Sequence, residues 1–123
     1  ATYAASVAAR NFCNVHPRVR WAALEVWARL LASGFSLPND LSSSLNTILS
    51  LIAGDLYARV QRRGLFVLVL LTTCDHVSIT SSDAESIYRR VLLPLVASPD
   101  PVLRAASTRI SDGLSAAHSL EDP

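Results

Sequence analysis

The chain is predicted to be all-α, an α-solenoid of about three helix pairs, the smallest number that such an array tolerates. Three observations predict it. Apolar residues recur at spacings of three and four along most of the 123 residues. The connections between these stretches are short and carry Pro, Gly, Asn or Asp. A turn-and-helix pattern also returns at offsets of 41 and 43 residues. Half of the residues are hydrophobic (50%) and 17% are charged, with a mean hydropathy of +0.32, a balance that builds a core and excludes general disorder. The length suits one compact unit, or a short piece of a longer array.

Taken in order, the Ala-rich stretch from Thr2 to Phe12 reads as a first helix. A second runs from Pro17 to Ala32, with Val19, Ala23, Val26 and Leu30 on one face. Asn14 stands before it as a cap, Pro17 suits its first turn, and Gly34 stops it. The third spans Leu41 to Ala53 on a stripe of Leu41, Leu45, Ile48, Leu49 and Ile52, with its start at Pro38-Asn39-Asp40. Asp55 opens the next segment, through Val60, Gly64, Val67 and Leu71 to Cys74. Within it, Leu65 to Leu71 is apolar on every side and β-prone in isolation. The flanking periodicity makes it a buried helix in the middle of a stack. Ser82 and Glu85 form a capping-box pattern for a further helix, whose stripe is Ile87, Tyr88, Val91, Leu92, Leu95 and Val96. Ser98-Pro99-Asp100-Pro101 breaks it, and a last helix carries Leu103, Ala106, Ile110 and Leu114.

Self-similarity gives these helices an order. Asn14-x4-Val19-Arg20-x-x-Ala23 returns as Asp55-x4-Val60-Gln61-x-x-Gly64 and as Ser98-x4-Leu103-Arg104-x-x-Ser107. A period near 40 to 47 residues holding two helices marks HEAT or armadillo arrays. In these residues, and in Leu92-Leu93-Pro94-Leu95 followed by Pro99-Asp100-Pro101-Val102-Leu103-Arg104, the chain resembles the HEAT-repeat family. The resemblance implies three repeats (about 2–34, 39–74 and 82–117), each a helix A followed by a helix B. It also implies structural roles for Asn14, Arg20, Asp55, Asp100 and Arg104, the acid at the turn capping helix B and meeting an Arg. Small residues (Ala22, Ala23, Gly64, Ala105, Ala106) stand where helix B must approach its neighbours. Both terminal repeats look apolar enough to want neighbouring repeats or a complex. The family pattern is incomplete: repeat one has Asn14 for the acid, repeat two has Gln61 for the Arg, and Pro94 lies about a turn nearer to helix B than the family places it.

Several classes of activity are disfavoured. The net charge is +1, so no global field steers the chain to nucleic acid or a membrane. The longest apolar run is the seven residues Leu65 to Leu71, far below the roughly 20 that a span needs. The chain begins at Ala1 and holds no Met, which reads as a fragment or processed product, with no targeting pattern at its start. Two cysteines, Cys13 and Cys74, make no disulfide framework, and a reducing, intracellular setting is expected, cytoplasmic or nuclear as for arrays of this type. His16, His76 and His118 are scattered. Cys74-Asp75-His76 are consecutive and point apart, where a metal wants three or four convergent ligands. No Gly-rich phosphate loop exists. No enzyme, metal or cofactor is expected.

What remains is a surface. Arg18, Trp21, Glu25 and Arg29 share one stripe of the second helix, with Trp21 about 200° from Val19. The offset of 41 carries Arg18 to Arg59 and Trp21 to Arg62, with Arg63 adjacent. All eleven basic residues are Arg, whose planar fork suits carboxylates. Arg18, Trp21, Arg29, Arg59 and Arg62 are therefore the candidate partner-binding residues, for an acidic or amphipathic segment of another protein. The rivals are a phosphate backbone on the same Arg strip, which the near-zero net charge disfavours, and a purely structural or oligomerising bundle. Arg89-Arg90 reads as a solvated face.

Overall fold

The computed structural model describes residues 2–35, 37 and 41–119, and every element among them is helical. The helices are α1 (Thr2–Arg10), α2 (Pro17–Ala32), α3 (Leu41–Gly54), α4 (Ala58–Thr73), α5 (Ser81–Ile87), α6 (Leu93–Leu95) and α7 (Pro101–Ser119); a π-helical turn (Tyr88–Leu92) joins α5 to α6. The expected start of α3 at Pro38-Asn39-Asp40 lies outside the described residues. No helix is long and apolar enough to cross a membrane among the residues described.

α4 occupies the centre, packed against α2, α3 and α7. Its all-round apolar run explains that place: Leu65, Val67, Leu68, Val69 and Leu71 are all buried. α2 also packs on α1, and α7 on the π-turn and α6, while α3 is covered by α5 and the π-turn. Thus α2, α4 and α7 lie side by side, each backed by a helix that precedes it in the chain.

The three turns into α2, α4 and α7 share one geometry. A side-chain oxygen accepts the N–H two residues on: Asn14 from His16 (2.9 Å), Asp55 from Tyr57 (2.9 Å), and Ser98 from Asp100 (3.2 Å). The carbonyl of the same residue then accepts a side chain six residues on: Asn14 from Arg20, Asp55 from Gln61 and Ser98 from Arg104, each at 2.7 Å. These residues set the turn rather than cap the helix. The caps proper are His16 and Tyr57, which offer no side-chain bond, and Asp100, whose Oδ1 accepts from Val102 N (2.9 Å). Asp55 has a second task. Its carboxylate takes Arg20 Nε at 2.8 Å and Nη2 at 3.2 Å, bracing the start of α4 to the start of α2.

Other expectations are corrected. The buried face of α2 is Ala23, Leu24, Trp27, Ala28 and Leu31, with Val26 exposed. A helix gripped by α1 and α4 buries a broad arc, and Trp27 fills it better than Val26. Of the small residues, Ala22 and Ala105 face outward. Gly34 does stop α2, in the left-handed conformation (φ +80°); its N–H and that of Phe35 bond back to Leu31 and Leu30 carbonyls. α5 is capped by Thr80, whose hydroxyl accepts from Asp83 N (3.1 Å), two residues before the expected Ser82. Glu85 pairs instead with Arg89 (3.4 Å) on the surface, while Arg90 turns back to Asn46 and Ser50 of α3. The π-turn accompanies Pro94. Leu93 N bonds five residues back to Tyr88 O, which widens the helix just before the ring that would otherwise crowd its preceding turn. The apolar terminal face is found on this segment, where Tyr88, Leu93 and Val96 are exposed. On α7, Val102 and Ala105 are exposed near its start, and Thr108, Ser111, Asp112 and Ser115 take outward positions further along.

α7 approaches α4 closely at Gly113, where an added Cβ would run into the carbonyl of Thr72. Because the obstacle is backbone, Gly113→Ala is expected to cost about 2 kcal/mol by forcing the helices apart. Gly54→Ala, whose methyl meets nothing within 4 Å, is the control and should shift stability by less than about 1 kcal/mol in chemical denaturation.

Candidate functional site

Neighbouring helices in near register bring like positions together, and α2 and α4 do so along an open cleft. It encloses about 400 Å³ and is lined by Trp21 from α2 and by Arg59, Arg62, Arg63 and Phe66 from α4. Trp21 is half-buried, its inner edge packed on the core and its face turned to the cleft. Arg63 holds the centre. Its guanidinium lies 5.0 Å from the ring centres of both Trp21 and Phe66, and 3.5 Å from Glu25 Oε1. Arg59 approaches the Trp21 ring at 5.9 Å. Each cation over an aromatic face is worth about 0.5–1 kcal/mol at an exposed site, so the cluster is organised but open to a competing ligand.

Of the residues expected to bind a partner, Trp21, Arg59 and Arg62 meet here. Arg18 and Arg29 are exposed on α2 and do not line the cleft. Arg63 and Phe66 belong to it and were not among the candidates. The offset of 41 maps Trp21 onto Arg62, yet the residues over its ring are Arg59 and Arg63. Phe66 is 42% exposed inside a run that is otherwise buried or half-buried.

A second cleft of about 450 Å³ continues between α4 and α7, sharing Arg62 and Phe66 with the first. Its floor is apolar, built from Val69 of α4 and Leu103 and Ala106 of α7, and Arg109 closes its far side. Among the described residues Arg59, Arg62 and Arg109 form no salt bridge.

No family model, no curated protein and no solved structure matches the chain. The chemistry of the surface must therefore speak through its own side chains. The cleft gathers three guanidinium groups and two aromatic rings, with Glu25 the one carboxylate described beside them, so its chemistry suits anionic and aromatic or apolar groups. No nucleophile and base converge there. His16 and His76 stand exposed elsewhere, and the side chain of His118 is outside the described residues. No group of three or more His, Cys, Asp or Glu that could hold a metal ion occurs among the described residues. Both cysteines are free thiols. Cys13 is exposed, while burial, then the neighbouring Asp75, pushes the Cys74 thiol above its ordinary value.

Proposed function

We propose that the chain is a HEAT-like α-solenoid segment that serves as a non-catalytic protein-binding scaffold. The observation that carries the binding role is the cluster of Trp21 with Arg59 and Arg63 over its ring, set in an open cleft beside the half-exposed Phe66. Trp and Arg are the residues most enriched where alanine substitution weakens protein interfaces, and here they sit in a cleft rather than singly on a surface. The solenoid reading is supported by the turn geometry that recurs at Asn14, Asp55 and Ser98, with the side-by-side order of α2, α4 and α7. Such arrays bind partners along an extended face built from successive helices. Neighbouring repeats of a longer chain would add to that face.

The test is affinity capture from a cell lysate with the whole chain and with a Trp21→Ala, Arg63→Glu double variant. The expected result is a partner protein retained by the former and depleted about tenfold or more with the variant, whose helical circular dichroism is unchanged. A partner held equally by both would place the interface on another face.

A further inference from the structure

We infer that the partner segment is an acidic amphipathic helix, seated with its apolar row in the α4–α7 cleft and its carboxylates on Arg59, Arg62 and Arg109. This rests on the protein-binding reading above and specifies the chemistry of what binds.

Charge and shape both select this occupant. The two clefts adjoin across α4, whose exposed Arg62 and Phe66 border each of them. Arg62 on α4 and Arg109 on α7 stand on opposite walls of the second cleft, and no described carboxylate neutralises either. Arg59 continues the positive wall into the first cleft. Between these cations the floor is apolar and low. Val102 is 69% exposed, and Ala105 and Ala106 leave room for bulkier side chains from outside. A ligand must therefore present an apolar ridge flanked by acids. A helix does so with apolar residues at i, i+3, i+4 and i+7 and Asp or Glu on either side. A phosphate backbone would satisfy the arginines but gain nothing from Val102, Ala105 and Phe66. An added strand would need a sheet edge, and no strand exists among the described residues.

The probe is a phage-displayed library of helical peptides of about 16 residues, with about eight positions varied among Leu, Ala, Glu and Lys, long enough for about four turns. It is selected on the intact 123-residue chain. Recovered peptides are expected to carry Leu at helical spacing and Glu in clear excess over Lys. A synthetic representative should bind about tenfold or more weakly to Val102→Asp, and similarly to an Arg62→Glu, Arg109→Glu double variant. Val102 lies exposed in the first turn of α7, where a carboxylate favours the helix, so this variant keeps its fold.

Other outcomes overturn the inference. Recovery of no peptide, of peptides with as much Lys as Glu, or of peptides without an apolar row would do so. Binding lost with Trp21→Ala, Arg63→Glu but unchanged with Val102→Asp would keep the protein-binding reading and sink the amphipathic helix. Peptide binding unchanged in every variant would overturn the inference and place the peptide-binding face elsewhere on the chain. An oligonucleotide of about 20 nucleotides that binds the chain with a steep salt dependence, is lost with Arg62→Glu, and has no peptide competitor would replace the helix by a phosphate ligand.

Discussion

Trp27→Ala is expected to lower the unfolding free energy by about 4 kcal/mol, the largest effect of any single substitution considered for this chain. Trp27 has 0% of its surface exposed. Its ring meets Phe12 edge-on, with centroids 5.2 Å apart and planes at 68°, and its Nε1–H donates to the carbonyl of Ala5 at 2.9 Å. The side chain therefore fills the space between α1 and α2 and also ties them with a hydrogen bond. Truncation removes the buried area and leaves a cavity that two short elements close only by moving. The measurement is urea unfolding followed by circular dichroism. Trp27→Phe refills most of the volume but forfeits the hydrogen bond. The Ala5 carbonyl keeps its place within α1, so the expected loss is nearer about 1–2 kcal/mol. Equal losses for Phe and Ala would show that the hydrogen bond, not the volume, is what α1 depends on.

Asp55→Ala comes next, at about 3 kcal/mol. The Asp55 side chain is 3% exposed and that of Arg20 13%, so water reaches this pair poorly. Removing the carboxylate strips Arg20 of two charge-assisted bonds and leaves its guanidinium with the carbonyls of Asn14 and Val15 and the ring of Tyr57. The same substitution deprives Tyr57 N–H of its acceptor at the entry to α4. Two segments lose their common brace in one step. Arg20→Ala is expected to cost less, because Asp55 keeps its turn bond to Tyr57 and rests at the head of α4, where negative charge is favoured. A double-mutant cycle isolates the coupling between the two side chains, expected to exceed about 1 kcal/mol. Coupling near zero would mean that the turn bond alone accounts for Asp55.

Much of this architecture is legible in the sequence because its punctuation is local. Gly34, the Pro17 start and the Asn14, Asp55 and Ser98 turns act within a few residues of themselves, so pattern alone places them. The unequal polar residues of the first two turns also become intelligible in space. Arg20 lacks an acid in its own turn but takes the acid of the next, while Gln61, neutral, bonds only the carbonyl of Asp55. Facing is harder to read. α2 carries two apolar rows, Val19-Ala23-Val26-Leu30 and Leu24-Trp27-Ala28-Leu31, and only the neighbours decide that the second is buried throughout. The same limit hid part of the candidate surface. Nothing within Leu65–Leu71 says that Phe66 is the member left half-exposed, or that Arg63 rather than Arg62 sits on Trp21.

The π-turn at Tyr88–Leu92 has a consequence for how one stretch of chain serves two neighbours. A single residue inserted into an α-helix advances the azimuth of everything after it by about 100°. Before the turn α5 packs on α3; after it α6 packs on α7; the turn itself touches both. That change of phase accompanies the switch of packing partner from α3 to α7 along one stretch of chain. The inserted residue does the work of a loop while the backbone hydrogen-bonding runs on through it.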